Sequence, residues 1–395
     1  MLLRTPISSV LALSALVSVT LLAGCDDDEA AIPATGKVTI ATYNAGLAYG
    51  FVDYASQRKP ALEGIIEALD VDVLCLQEVW TEEDIGMMAA AGARGTLPNS
   101  YFEYIQDTTV GPPSCTTAEA EPLLACAQTN CGETPANELS TCVIDNCIAE
   151  FAATTPACQG CLAANLGSEL SEILTACTTS SAKFNYGGAN GVLLLSKHPI
   201  TAKAHATLSS SLVQRSVLMA TIDLPAFGET DVACTHLAAD LSNLITYNGD
   251  FGSFGGEQAA QTNELIAFLE ANGTARTQIV TGDFNSGPAV DASGIVAELP
   301  EAAYGLLLGA GFSVYQDPTD SPACTYCADN ALIDDAANPA LIDHVFVRGL
   351  PSGTATIQSS LIGTQGITIQ DDSAMDVATH PSDHYGVRVE FDYGE

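Results

Sequence analysis

Short runs of apolar, often β-branched residues recur along the chain, and many of them end on a polar residue able to do chemistry. The clearest is Ile279-Val280-Thr281-Gly282-Asp283-Phe284-Asn285-Ser286. Ile279 and Val280 fit the end of a strand in a sheet covered on both faces. Gly282 lets the chain turn, and Asp283 and Asn285 can then point the same way on locally extended backbone. A carboxylate and a carboxamide at a strand's C-terminal edge suit a hard cation and a phosphoryl oxygen. The same residues also fit an ordinary Asx-rich turn. The rest of the pattern has to decide between them.

Lys37 to Asn44 alternates, is rich in β-branched residues and closes on Asn44 and Gly46. Residues 58–69 have apolar positions at helical spacing, and Val71 to Glu78 is a second buried strand, ending in an acid. A glutamate closing an apolar strand is costly without a partner or a metal. Thr81-Glu82-Glu83-Asp84 reads as a helix start with acids in its first turn. Further strands are predicted at Asn190–Lys197, Val217–Leu224 and Thr230–His236. A Gly-, Phe- and Asn-rich loop over 243–256 then leads into a helix over 257–270, and another helix is predicted over 300–311. Leu341–Val347 is a strand with Asp343 inside it, and Gly386–Phe391 is the last, preceded by Pro381-Ser382-Asp383-His384.

Residues 111–180 break this rhythm. They hold eight of the thirteen cysteines, with Cys126/Cys131 and Cys142/Cys147 each separated by four residues and Cys158/Cys161 by two. The intervening Ala- and Leu-rich segments read as short helices stapled to one another, an antiparallel pairing of the two Cys-x4-Cys helices being one arrangement among many. A zinc site would need reduced thiols in closed tetrahedral sets. The segment reads as an insertion rather than a catalytic unit.

The first 24 residues read as a signal peptide, with Arg4 ahead of an apolar run over 6–22. Leu21-Leu22-Ala23-Gly24-Cys25 resembles the bacterial lipoprotein box, which implies lipidation of Cys25. Residues 25–36 begin with Asp26, Asp27, Asp28 and Glu29 and form an acidic tether. The expected location is the cell envelope, exported and lipid-anchored. With Cys25 set aside an even number of cysteines remains, as disulfide pairing in an oxidising compartment requires. Cys75 and Cys234 lie inside apolar strands and read as buried free thiols, whereas Cys324-Thr325-Tyr326-Cys327 can close a small disulfide.

A hydrophobic content of 47% with 15% charged residues supports a sizeable core and excludes a disordered chain. With 12 Lys+Arg against 48 Asp+Glu, the net charge of −36 repels polyanions, and no basic cluster offsets it. That disfavours a nucleic-acid partner.

Collected, the polar residues that end or interrupt apolar strands are Asn44, Glu78, His236, Asp283, Asn285, Asp343, Asp383 and His384. So many such groups require a wet cleft or a shared metal. The segments carrying them are Thr42-Tyr43-Asn44, Leu76-Gln77-Glu78-Val79-Trp80, Thr235-His236-Leu237, Gly282-Asp283-Phe284-Asn285, Ile342-Asp343-His344 and Ser382-Asp383-His384-Tyr385. In this order they resemble the endonuclease/exonuclease/phosphatase superfamily of deoxyribonuclease I-like fold, with Gln-Glu-Val-Trp most similar to its sphingomyelinase-type branch.

The resemblance implies a four-layer α/β-sandwich, two mixed β-sheets face to face with outer helices, spanning 37–395 with 111–180 as a Cys-rich helical insertion. It implies Glu78 as principal Mg2+ ligand (Mn2+ or Ca2+ being alternatives), with Asn44, Asp283 and Asp383 as further metal-site residues. Asp283 and Asn285 would orient the nucleophile and hold a phosphate oxygen. Asp343 would fix the tautomer of His384, and His236 would donate to the phosphoryl group or leaving oxygen. Either His384 or Asp283 would deprotonate water. His344 stands where relatives more often carry an aromatic, and would add a charge near the site. Asn190 substitutes for the family's Tyr or Arg phosphate contact. The expected activity is a metal-dependent phosphodiesterase acting on a phospholipid or small phosphoester at the membrane. The rivals are an extracellular nuclease and a non-catalytic binding lipoprotein on the same fold; no protein partner is inferable.

Overall fold

The computed structural model describes residues 36–394 apart from 104–111, 135–138, 181–184, 316–323 and 334–337. The expected signal peptide, Cys25 and nearly all of the acidic tether lie outside the described residues.

In chain order come β1 (Gly36–Asn44), α1 (Ala55–Ala68), β2 (Val73–Gln77), α2 (Glu82–Arg94) and β3 (Asn99–Tyr101). The cysteine-rich helices α3 (Thr117–Asn130), α4 (Leu139–Ala152), α5 (Pro156–Ala164) and α6 (Leu170–Thr179) follow. Next are β4 (Val192–Ser196), β5 (Ile200–Leu208), β6 (Arg215–Leu224), β7 (Gly228–His236), α7 (Phe254–Asn272) and β8 (Thr277–Asp283). The chain continues through α8 (Ala303–Gly309), β9 (Ser313–Val314), β10 (Asp343–Arg348) and β11 (Thr354–Ile362). It ends with β12 (Ile367–Gln370), β13 (Asp376–Thr379) and β14 (Gly386–Tyr393).

Two six-stranded sheets result, ordered β11-β14-β1-β2-β4-β3 and β5-β6-β7-β8-β10-β9, with β12 and β13 forming a separate hairpin. Each sheet has one parallel pair made by a helical crossover, β1-α1-β2 in the first and β7-α7-β8 in the second.

The strands are apolar on both faces because both faces are covered. Val38, Ile40 and Val73 point between the sheets toward Leu218, Ile222, Val232 and Ile279. Their neighbours Ala41, Tyr43, Leu74 and Leu76 point outward onto Leu62 and Ile66 of α1 and Ile85 and Met88 of α2. On the other side Val280 and Phe346 pack against Leu265 and Leu269 of α7 and Leu307 of α8. Four layers follow, as the resemblance implied. Each fully buried Val, Leu or Ile contributes about 1.5–3 kcal/mol. A one-residue slip in register would exchange the two faces wholesale.

The same alternation puts Cys75 and Cys234 on the inner faces of opposite sheets, where they form a disulfide with Cα atoms 5.4 Å apart across a sequence separation of 159. They are not the free thiols expected from apolar surroundings alone. Packed sheets ordinarily stand about 10 Å apart. The small side chains at this point allow a closer approach, and Cys75 Sγ reaches the Thr281 carbonyl at 3.3 Å.

In the insertion, Cys126–Cys147 and Cys131–Cys142 staple α3 antiparallel to α4. Cys161–Cys177 ties α5 to α6, and Cys115–Cys158 ties the segment before α3 to α5. These helices have their own small core of Leu123, Leu162, Ile173 and the cystines. They lie over the β1–α1 and β7–α7 loops: Ser140 Oγ donates to the Gly50 carbonyl, and Asn248 Nδ2 donates to the Thr154 carbonyl at 3.0 Å. The Cys324–Cys327 disulfide also forms.

Replacing Cys75 and Cys234 together by alanine is expected to lower the free energy of unfolding by about 2–5 kcal/mol. The check is the urea midpoint under non-reducing conditions. An unchanged midpoint would mean that the sheets hold their separation without the bond.

Candidate active site

Strand register assembles the site. The parallel β7–β8 pair sets His236 beside Asp283, and the antiparallel β8–β10 pair sets Asp283 beside Asp343. In the facing sheet, β1 and β2 set Asn44 beside Gln77, one residue before Glu78. Strand β14 runs antiparallel to β1 with Val387 opposite Thr42, so the Ser382–His384 segment arrives at the end of β1. Ser382 Oγ donates to the Asn44 carbonyl at 2.7 Å and accepts from the His384 amide at 3.2 Å. The C-terminal ends of β1, β2, β7 and β8 and the N-terminal ends of β10 and β14 therefore share one rim.

At that rim Asn44 Nδ2 donates to Asp283 Oδ2 at 2.9 Å and to Glu78 Oε1 at 3.3 Å, joining the two sheets. His384 Nδ1 lies 2.9 Å from Asp343 Oδ2, and its Nε2 lies 3.8 Å from Asp283 Oδ2. His236 Nε2 is 3.4 Å from the same Asp283 oxygen and 3.2 Å from Asn285 Nδ2. Glu78, His236, Asp283, Asn285 and His384 all line one cavity.

The turn after β8 is at once an Asx turn and part of the site. Asp283 Oδ1 accepts from the Asn285 amide at 2.9 Å. The backbone there is not extended as expected: Asn285 has φ 47°, and its amide turns to the Leu237 carbonyl at 3.0 Å. Glu78 also sits in the left-handed region, at φ 57°. For a glutamate that conformation costs about 1–3 kcal/mol and persists only where the surroundings enforce it. Gly282 is required by close approach, since an added Cβ would run into the Thr235 carbonyl of β7.

Burial and the neighbouring Asp383 raise the Glu78 carboxyl to about 7. Burial and Asp343 raise Asp283 to about 6, against the pull of His384 and the Asn44 amide. His384 would be driven down by burial, but Asp343 and Asp283 hold it well above its ordinary value. His236 moves the other way, driven well below by burial and by Arg215 and His384. One histidine is thus charged and the other neutral, and the carboxyls are poised near neutrality.

Several residues here carried no signal in the sequence pattern. Arg215, at the start of β6, is buried with Nε and Nη1 unpartnered among the described residues; it lines the cavity and stacks 6.0 Å from the Trp80 ring centroid. Arg58 of α1 is fully buried and donates to the carbonyls of Asp53, Ala45, Gly46 and Pro381, clamping the loop after β1 to the segment carrying Asp383 and His384. Thr325, inside the Cys324–Cys327 loop, accepts from the Ile342 and Asp343 amides through Oγ1, and its carbonyl accepts from the Tyr385 amide. That small disulfide loop therefore sets the His384–Asp343 pair. A basic residue opening an apolar strand, as Arg215 does, is the one cue a reader of the sequence could have followed.

Asn190 is buried with both amide atoms unpartnered among the described residues, and it does not line the cavity. Asp383 is partly exposed and packs on Gly46, whose φ of 56° and lack of a side chain leave it room. His344 does not add a charge. It is fully buried beside Phe284, Tyr304 and Phe346, and burial lowers it to about 4. Its Nε2 lies 2.9 Å from the Ser286 carbonyl. Its ring packs as one more member of that aromatic cluster.

The donors fit a divalent cation. Among the described residues, one ligand atom each of Asp283, Asp343 and His384 lies within 4.8 Å of the others. In that group Asp343 and His384 already satisfy each other by a hydrogen bond. Glu78 Oε2, by contrast, is buried without a hydrogen-bond partner among the described residues, on a carboxylate flanked by Asp383 and Asn44. Buried unpaired acid oxygens of this kind are offset by a cation.

A four-layer sandwich with acids, imidazoles and an amide at one rim defines a class, that of phosphoester hydrolases of this architecture. The family described as Endonuclease/Exonuclease/phosphatase matches residues 41–384, and the chain belongs to it. Among solved structures, sphingomyelinase C from Streptomyces griseocarneus is similar at 14% identity and a TM-score of 0.51, covering 90% of this chain and 99% of its own. SmcL gives 14% identity and a TM-score of 0.53 over 90% of this chain and 99% of its own. A mutant of beta toxin from Staphylococcus aureus with bound magnesium ions gives 11% identity and a TM-score of 0.51 over 91% and 100%. At these identities the likeness is one of fold. No curated protein matches the chain.

Trp80 is the sole tryptophan, two residues from Glu78 and 6.4 Å from the His236 ring, so its fluorescence should report ion binding. A cation must displace the proton that Glu78 holds below about pH 7. The apparent Mg2+ dissociation constant is therefore expected to rise about tenfold from pH 8 to pH 6, and the signal to vanish in Glu78→Gln. A titration indifferent to pH over this range would contradict a role for Glu78 in holding the ion.

Proposed function

We propose that the protein is a Mg2+-dependent phosphodiesterase of the cell envelope, cleaving a P–O bond of a phospholipid or small phosphoester by in-line attack of water. One observation carries this reading: Glu78 and Asn44 from one sheet meet Asp283, Asp343 and His236 from the other, with His384 between the acids, in a cavity also lined by Arg215, whose Nε and Nη1 are unpartnered among the described residues.

Glu78, with Asn44 and Asp383, would hold the ion. When bound, it would offset charge on the phosphoryl oxygens. Asp283, poised at about 6, is ionised at neutral pH and is the group placed to take the proton of water. His384, kept charged by Asp343 and Asp283, faces the negative charge that develops on phosphorus-bound oxygen. Neutral His236 and the Asn285 amide hold a phosphoryl oxygen or the leaving oxygen. Arg215 brings the donors that sequence reading had sought at Asn190.

The net charge of −36 supports a lipid or small ester over nucleic acid, and the fold likeness to a sphingomyelinase C agrees with it. Sphingomyelin, bis-p-nitrophenyl phosphate and plasmid DNA, each with Mg2+ and with chelator, separate these substrates. Phosphoester hydrolysis that stops with chelator is the expected result, and rapid plasmid degradation alone would reverse the preference. Glu78→Gln, Asp283→Asn and His384→Ala should each lower kcat/KM by about a hundredfold to ten-thousandfold with circular dichroism unchanged. Near-wild-type turnover in all three would end the proposal.

The envelope location rests on Leu21-Leu22-Ala23-Gly24-Cys25. Labelled palmitate should enter the protein in a bacterial host and be lost in Cys25→Ser. Equal labelling of both would place the lipid elsewhere.

A further inference from the structure

The cavity that holds the reacting residues does not stop at them. Its floor carries Glu78, Arg215, His236, Asp283, Asn285 and His384, and the whole cavity, about 340 Å³, extends from them between walls that are predominantly hydrocarbon. One wall belongs to the cysteine-rich insertion, through Leu123, Val143, Ile148, Phe151 and Leu174. The other belongs to the β7–α7 loop, through Leu244, Ile245 and Phe254. Val143, Ile148, Phe151 and Leu174 are only partly buried; Val143, Phe151 and Leu174 pack against the insertion's own core, and all four also present apolar surface to the space. Phe51 and Leu244 also line it while remaining 51% and 53% exposed, which gives the cavity an apolar lip. In a chain this acidic, an apolar chamber opening directly onto a cationic and acidic catalytic floor selects a molecule with both characters.

Building on the phosphodiesterase reading, we infer that the insertion forms a chamber for a single hydrocarbon chain, and that the substrate is a single-chain amphiphilic phosphodiester taken up as a monomer. The occupant must present a phosphate to Arg215, His384 and the ion, because the chamber and that floor are one space. It must also present methylenes to the leucine and isoleucine walls, which offer no polar partner. The whole cavity lies at the lower end of the roughly 300–1,000 Å³ of small-molecule sites, a size that suits one chain beside the headgroup. The disulfides explain how four short helices keep such a space open. Stapled pairwise, they cannot collapse onto it to bury their own apolar faces.

The test uses the full exported protein and a series of n-alkyl p-nitrophenyl phosphodiesters, from ethyl to hexadecyl, each below its micelle concentration. kcat/KM is expected to climb severalfold for each methylene added, up to a plateau where the chamber is full. Ile148→Phe and, independently, Leu174→Phe should move that plateau to shorter chains while leaving the ethyl ester rate unchanged. A chain-length dependence that is flat, with the ethyl ester still hydrolysed, overturns the chamber and leaves the phosphodiesterase standing. Failure to hydrolyse any ester overturns the phosphodiesterase instead. The chamber is then decided by calorimetry of dodecylphosphocholine monomers with the His384→Ala protein. One-to-one binding that Ile148→Phe and Leu174→Phe weaken at least tenfold supports it, and no binding overturns it.

Discussion

The hydrogen bond from Asn44 to Asp283 crosses from one sheet to the other, and the rest of the molecule is arranged so that it can form. Sheets in a sandwich normally stand too far apart for two short side chains to meet. Here Cys75 and Cys234 are bonded through the gap, with their Cα atoms 5.4 Å apart. The approach brings the ends of β1 and β2 against those of β7 and β8. Residues that belong to two separate hydrogen-bonded ladders then become one site.

That proximity has an electrostatic cost. Glu78, Asp283, Asp343 and Asp383 crowd together where burial already disfavours charge, and the carboxyls of Glu78 and Asp283 are displaced upward as a result. Two buried arginines and a charged histidine offset part of this. Arg58 does so while donating to backbone carbonyls, and Arg215 with its Nε and Nη1 unpartnered among the described residues. A guanidinium with such donors beside a cluster of acids is the expected arrangement if an anion and a cation are both to be received there. The strained backbone of Glu78 belongs to the same account, since folding stability alone gives no reason to hold a glutamate in that conformation.

The insertion adds a second kind of surface to this polar rim. The sandwich brings chemistry that its architecture shares with many relatives, whereas the stapled helices bring apolar walls of their own. The division of labour is visible in the cores. The helices of the insertion pack around cystines, and the sandwich packs around β-branched side chains. Joining the two at the mouth of the site makes specificity a property of the added segment rather than of the catalytic residues.

How far this was legible in the sequence follows from what each signal depends on. Apolar runs fix buried strands wherever both faces are covered, so β1, β2, β4, β7, β8, β10 and β14 could be read directly, as could the residues that close them. Strands β5 and β11 at the sheet edges, with half-exposed polar positions, left no such trace. Nor did Arg58, because an arginine looks the same in sequence whether it is solvated or buried. Likewise, apolar surroundings suggested free thiols at Cys75 and Cys234. Only the pairing of the two sheets could show that alternate positions on each strand face one another. The sequence by itself determined which side chains could act and which stretches would be buried. The tertiary structure decided which of them meet, since contacts across hundreds of residues depend on register and on the distance between sheets, and neither is written locally.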